Sequence, residues 1–136
     1  MECPPQMMNK SRTEIIELTR LWLAAWNTHD IDGVMALLHD DVEFNNWTGA
    51  TIVGKRALRL SWTPWFLDHG DFRFTEEDIF VDEIAQKALL RWQLEWPAPE
   101  INSARAREIR HGVDLIRFVD GKIIGKYVYS KDATVS

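Results

Sequence analysis

Apolar residues first recur at helical spacing: Ile15, Leu18, Trp22, Ala25 and Trp26 stand three and four apart on one face. The preceding Ser11-Arg12-Thr13-Glu14 has the form of a capping box, with Ser11 as N-cap and Glu14 reaching back. This helix is predicted to end near Asn27-Thr28. Asp30 then suits the N-cap of a second, shorter helix over 31–38, burying Val34, Leu37 and Leu38. Asp40 and Asp41 lead into a short strand over 42–47, Thr48-Gly49 turns, and 50–53 forms a second strand. A third helical segment spans 54–69, with Leu58, Trp62, Trp65 and Phe66 on one face. Pro64 is expected to break or bend it, because proline has no N–H to donate.

From Phe72 onward the period falls to two. Phe72, Phe74, Glu76, Asp78 and Phe80 alternate with Arg73, Thr75, Glu77, Ile79 and Val81. Further strands are predicted over 88–96, 108–119 and 123–130. A loop with Pro97, Pro99, Asn102 and Ser103 follows the first of these, and Asp120-Gly121 is a hairpin turn before the last. Residues 1–10 carry two prolines and no period, and read as a disordered leader to one domain over 11–136. The pattern predicts an α+β fold, three N-terminal helices packed on one face of a strongly curved antiparallel sheet. Such a cone is open at one end, and concave apolar clefts with few polar groups are the usual small-molecule sites.

Composition narrows the function classes. A chain of 136 residues suits a single domain with its own core. Sixteen Lys and Arg against 21 Asp and Glu leave a net charge of -5, which argues against nucleic-acid and anionic-membrane partners. The longest apolar runs, such as residues 21–26, are too short to cross a bilayer. The opening MECPPQMMNK lacks the apolar stretch of a signal peptide, so a cytoplasmic location is expected. Cys3 is the single cysteine, which excludes an internal disulfide and a Cys-rich zinc site. No His pair has metal-ligand spacing, and no Gly-rich phosphate loop or nucleophile elbow occurs, so no metal or cofactor is expected. Seven tryptophans suit either a thick core or a roomy, partly polar cavity.

Two segments carry a family resemblance. The run from Ala25-Trp26-Asn27-Thr28-His29-Asp30 through Asp40-Asp41-Val42-Glu43-Phe44 resembles the opening of the nuclear transport factor 2-like superfamily. Gly112-Val113-Asp114-Leu115-Ile116-Arg117-Phe118, followed by Asp120-Gly121-Lys122-Ile123, does so too. Together they are similar to the SnoaL-like polyketide cyclases and, more distantly, to the ketosteroid isomerases. The resemblance covers roughly residues 12–131 and implies a cystatin-like cone, a statement about fold rather than chemistry. The isomerases' general-base Asp falls at Asn46, and an amide cannot accept a proton at neutral pH. Their oxyanion Tyr falls at Trp22, while their oxyanion Asp matches Asp114. The SnoaL-like cyclases place their acid/base Asp in the same strand, again at Asp114, but their companion His has no counterpart. The carboxylates of limonene epoxide hydrolases fall at Gln93, in Arg91-x-Gln93, and at Val128, so that machinery is absent.

Asp114 shares a strand face with Ile116 and Phe118. A buried carboxylate is costly, so it has either a structural partner, Arg110 or a helix N–H, or an acid/base purpose. Lys126 alternates with Val128 and Ser130, on the face that the isomerase resemblance makes the pocket side. There it could pair with Asp114 or polarise a substrate carbonyl; an outward, solvated lysine is the alternative. Asn46 either donates to a ligand oxygen or ties down a strand end. Trp22, Phe44, Trp62, Trp65, Leu90, Trp92, Ile116 and Val128 are expected to line the cavity, with Leu90, Trp92, Leu94 and Trp96 sharing a face. His29, His39 and His69 fall at helix ends or loops, and His111 points away from Asp114.

The resulting expectation is a SnoaL-like enzyme using general acid/base catalysis on a hydrophobic small molecule bearing a carbonyl or enol. Asp114 would carry the proton, with Asn46 and Lys126 stabilising charge on oxygen. The alternative is a non-catalytic binding protein of the same fold. Val113, Leu115, Tyr127 and Tyr129 would leave an apolar outer sheet face, so a homodimer through that face is expected.

Overall fold

The capping box forms: Ser11 Oγ accepts from the Glu14 N–H at 3.2 Å, and Glu14 Oε1 accepts from the Ser11 N–H at 2.8 Å. It opens α1 (Arg12–Asn27), which is followed by α2 (Ile31–Ala36), capped by Asp30, and by the β1 (Leu38–Asn45) and β2 (Thr51–Val53) hairpin. Then come α3 (Lys55–Asp68), β3 (Arg73–Asp82), β4 (Lys87–Pro97), β5 (Arg107–Val119), β6 (Lys122–Ser130) and β7 (Thr134–Val135). These are seen in a computed structural model that describes residues 9–68, 71–97, 107–131 and 134–135. The expected leader up to residue 8, His69, and the loop residues Pro99, Asn102 and Ser103 lie outside the described residues. Contacts among the described residues extend ahead of the capping box. The Lys10 backbone and the Gln86 side chain exchange two hydrogen bonds of 2.9 Å.

The fold is α+β, but the sheet is mixed. Its strand order is β2-β1-β6-β5-β4-β3, with β7 pairing β5. The β3-β4, β4-β5 and β5-β6 ladders are antiparallel, whereas β1 and β6 run parallel. This corrects the expectation of a wholly antiparallel sheet. A parallel pair needs a long crossover, and here α3 and the four intervening strands supply it. The three helices are also not consecutive, since β1 and β2 separate α2 from α3. The α2 helix stops earlier than predicted because Leu37 gives its carbonyl to the Ile123 N–H and Leu38 enters the sheet beside Ile123.

A break of α3 at Pro64 and an uninterrupted alternation along β3 are both absent, for visible reasons. The α3 helix runs unbroken through Pro64. Leu58 and Trp62 are buried on its inner side, while Pro64 lies exposed at the cavity rim, where the missing N–H is tolerated. In β3 the simple alternation ends at a bulge between Glu76 and Asp78. The extra residue reverses the faces, so Ile79 and Val81 join the core against Leu90 and Ala88, and Phe80 is 62% exposed. Further irregularities interrupt β1 between Leu38 and Glu43 and β5 between Arg117 and Phe118, and bulges of this kind bend strands.

Helix α1 lies across the inner face of the sheet. Asn27 fixes its end like an extra strand residue: Nδ2 donates to Phe74 O at 2.8 Å and Oδ1 accepts from the Phe74 N–H at 2.7 Å. Its inner side buries Ile15, Thr19, Trp22, Leu23 and Trp26. Thr19 is spared an unsatisfied hydroxyl by donating to Ile15 O. No helix among the described residues is long and apolar enough to cross a membrane.

Candidate functional site

Helices α1 and α3 meet the inner face of the sheet around a cavity of about 490 Å³. Its wall is dominated by indole. Trp22 and Trp26 come from α1, Trp62 and Trp65 from α3, and Trp92 from β4. Phe44, Phe74 and Trp47 add strand and turn positions. The rings meet mainly edge to face, with Trp26 and Trp62 centroids 5.0 Å apart and Phe44 and Trp62 4.9 Å apart. Such contacts add roughly 0.5–1.5 kcal/mol per pair beyond area burial and hold the wall rigid.

Among the described residues lining this wall, two are charged. Asp114 lies opposite Val128 in the β5-β6 ladder, and Lys126 is the next inward residue along β6, diagonal to it. They are 4% and 7% exposed. The Lys126 ammonium stands 3.5 Å from Asp114 Oδ2, and Asp114 Oδ1 accepts from the Trp92 indole N–H at 2.9 Å. The ion-pair distance exceeds the 2.7–2.9 Å of a tight charge-assisted hydrogen bond, so the ammonium keeps donor capacity for a ligand. Around it stand the ring faces of Phe44 at 4.8 Å, Trp22 at 5.3 Å, Trp62 at 5.9 Å and Trp26 at 6.0 Å. Burial pushes the Lys126 pKa below the ordinary lysine value, and attraction to Asp114 opposes the shift without cancelling it.

Gly112 makes the Trp92–Asp114 bond possible. It faces Trp92 across the β4-β5 ladder, and a Cβ there would fall 2.6 Å from Trp92 Cζ2 and 2.6 Å from the Tyr129 carbonyl oxygen. The bare backbone lets the indole lie flat over β5 and point its N–H at Asp114.

The structure therefore brings Asp114, Lys126, Asn46, Trp22, Phe44, Trp62, Trp65, Trp92 and Val128 to one cavity. Lys126 points inward rather than to solvent. Arg110 is not the partner of Asp114; it stacks on Trp47 at 4.6 Å and bonds Ser130 Oγ and the Lys131 carbonyl. Asn46 serves the turn as well as the cavity, since its Oδ1 accepts from the Trp47 N–H at 2.8 Å and leaves the amide NH₂ to donate. Leu90 and Ile116 do not line the wall. Both face inward but are wholly buried in the core, because strand alternation gives the face and not the depth. Trp26, Trp47, Phe74 and Leu94 line the cavity without having been singled out for it. Trp26 was readable as the next turn after Trp22 on the same helix face; the approach of Trp47 was not. Arg91 and Gln93 lie on the outer face, paired with Val113 and His111.

Residues 19–125 match the SnoaL-like domain. The chain belongs to the SnoaL-like family. Among proteins of curated function, none matches it. Solved structures share its fold across nearly its whole length. SalBIII, described as an epoxide hydrolase/cyclase-like enzyme with a role in pyran ring formation in the polyether salinomycin, is 14% identical. Its TM-score is 0.81, with 93% of this chain and 98% of that one covered. An LEH-like epoxide hydrolase of Mycobacterium tuberculosis is 22% identical, with a TM-score of 0.71 over 88% of this chain and 84% of that one. A protein of Methylobium petroleophilum PM1 with a cystatin-like fold is 15% identical, with a TM-score of 0.72 over 92% of this chain and 80% of that one. This SnoaL-like chain accordingly shares the cystatin-like α+β fold.

Proposed function

We propose that this SnoaL-like protein is a cofactor-independent enzyme that moves a proton on a hydrophobic carbonyl or enol compound held in the aromatic cavity. The Asp114–Lys126 pair carries this reading: a carboxylate and an ammonium sit side by side, desolvated, on a wall otherwise built to hold apolar rings. Asp114 accepts the proton from the carbon beside the carbonyl and returns it, while Trp92 fixes its orientation. Lys126 donates to the carbonyl oxygen as negative charge develops there, and the low polarity of the wall strengthens that contact. The free amide NH₂ of Asn46 supplies a further donor for a ligand oxygen. The activities named for SalBIII and for the Mycobacterium tuberculosis epoxide hydrolase support an enzymatic role for the fold, without transferring their reactions.

The test follows the α-protons of a hydrophobic ketone, 2-decalone, in D₂O by NMR. The wild-type protein should speed their exchange, and binding should quench tryptophan fluorescence through the indole wall. Asp114→Asn should abolish exchange yet hold affinity within about tenfold, because the amide nearly preserves shape. Unchanged exchange in that variant would refute the role of Asp114. Quenching with no exchange in the wild type would make the protein a carrier.

A further inference from the structure

We infer that Lys126 is a covalent amine catalyst, forming an imine with an aldehyde or unhindered ketone whose apolar body fills the aromatic cavity. The inference deepens the reading of the cavity as a carbonyl site and rests on it. Three observations lead there. First, Nζ is held on β6, an interior strand between β1 and β5, and reaches a cavity wall rather than solvent. Its surroundings are four aromatic rings and one carboxylate. Desolvation of this kind makes the neutral, nucleophilic amine accessible, as the lowered pKa of Lys126 reflects. Second, Asp114 Oδ2 lies 3.5 Å from Nζ, the carboxylate beside the ammonium but beyond the length of a tight charge-assisted hydrogen bond that would hold the proton in place. Third, the ring faces that now surround an ammonium would surround the protonated imine at the same nitrogen. The cationic intermediate would form in a cage already built for that charge.

The chemistry balances within the pair. Asp114 takes one proton from the ammonium, and the freed nitrogen lone pair attacks the carbonyl carbon, breaking the C=O π bond. Asp114 returns the proton to the oxygen, giving a carbinolamine whose nitrogen still bears two hydrogens. Asp114 then relays one of these to the hydroxyl, which leaves as water, and the nitrogen lone pair forms the C=N bond of a protonated imine. Asp114, again a carboxylate, can then remove a proton from the neighbouring carbon. The C–H electron pair moves into an enamine and neutralises the nitrogen. Reprotonation and addition of water release the carbonyl compound and restore the amine. No oxidant or reductant enters. The substrate class is thus a carbonyl compound whose adjacent carbon bears a hydrogen.

The folded wild-type protein is mixed at neutral pH with 6-methoxy-2-naphthaldehyde, an aromatic aldehyde used here only to trap the amine, and with sodium cyanoborohydride. Imine formation should add the mass of the aldehyde less one oxygen atom, and peptide mapping should place the adduct on Lys126. Excess 2-decalone should protect Lys126, and Lys126→Met should lose the adduct. An adduct confined to the solvated lysines, such as Lys55, Lys87 or Lys122, or no adduct at all, would overturn the inference. Tryptophan quenching by the same aldehyde separates the two failures. With quenching and no Lys126 adduct, the acid/base reading stands and the imine falls; with neither, both fall.

Discussion

The Asp114–Lys126 pair is open to a double-mutant cycle whose outcome depends on how dry the cavity wall is. Lys126→Met keeps length and apolar volume but deletes the ammonium. Asp114, 4% exposed, is then left with the Trp92 N–H as its close donor. Breaking a buried ion pair from one side costs about 3–5 kcal/mol, because the surviving charge is stranded. Asp114→Asn should cost less, roughly 1–3 kcal/mol, the range for leaving a buried polar group without its partner. The amide still accepts from Trp92, and Lys126, already disfavoured as an ammonium, can shed its proton. The double variant buries no charge and should lie within about 2 kcal/mol of the parent, since neutral replacements of buried pairs are often neutral or stabilising. The two sites should therefore be coupled by at least about 2 kcal/mol, at or above the upper part of the roughly 0.5–3 kcal/mol range for contacting residues. Urea unfolding followed by tryptophan fluorescence gives all four stabilities, and an unchanged m-value certifies that the native state is comparable across the set. Losses that simply add, with coupling under about 0.5 kcal/mol, would mean that the pair is solvated and the desolvation argument wrong.

Three further outcomes are expected. Lys126 has a lowered pKa when folded, so between that value and the ordinary lysine value near ~10.4 the unfolded chain binds more protons. Its contribution to stability must rise with pH across this window, being least favourable below it; the stability difference between wild type and Lys126→Met, measured by urea unfolding from pH 7 to pH 10, checks the sign. Gly112→Ala places a methyl against Trp92 Cζ2 and the Tyr129 carbonyl, which should cost about 1–3 kcal/mol as overpacking and pull the indole off Asp114. Calorimetry reads the stability loss, and the 2-decalone exchange assay should show a drop with it; an unchanged rate would remove Trp92 as the residue positioning Asp114. We also propose that a second copy covers the outer sheet face, where Tyr129 is 59% exposed beside Val113 and Leu115 lies beside Tyr127. Glu77 near Arg91 and His111 at 4.0 and 3.5 Å flanks this apolar strip. Sedimentation equilibrium at micromolar concentration should give twice 15.9 kDa, and the monomer mass would refute it.

The amino-acid sequence alone determined what depends on neighbours a few residues apart. Helical spacing put Trp22 and Trp26 on the buried side of α1 and Leu58 and Trp62 on that of α3. Alternation put Asp114 with Ile116 and Trp92 with Leu94 on inner strand faces. Capping chemistry located the start of α1 at Ser11. Whatever depends on pairing or depth belonged to the tertiary structure. The parallel β1-β6 contact joins residues about eighty apart, and no local pattern records it. The β3 bulge reverses Ile79, Phe80 and Val81 because the partner strand β4, not β3 itself, decides which face is core. Periodicity could not tell Leu90 and Ile116, sealed in the core, from Leu94 on the cavity wall. It also could not show that Lys126 is ringed by Phe44, Trp22, Trp62 and Trp26. Those rings come from β1, α1 and α3, and only the closing of two helices over the sheet puts four aromatic faces and one carboxylate around a single nitrogen.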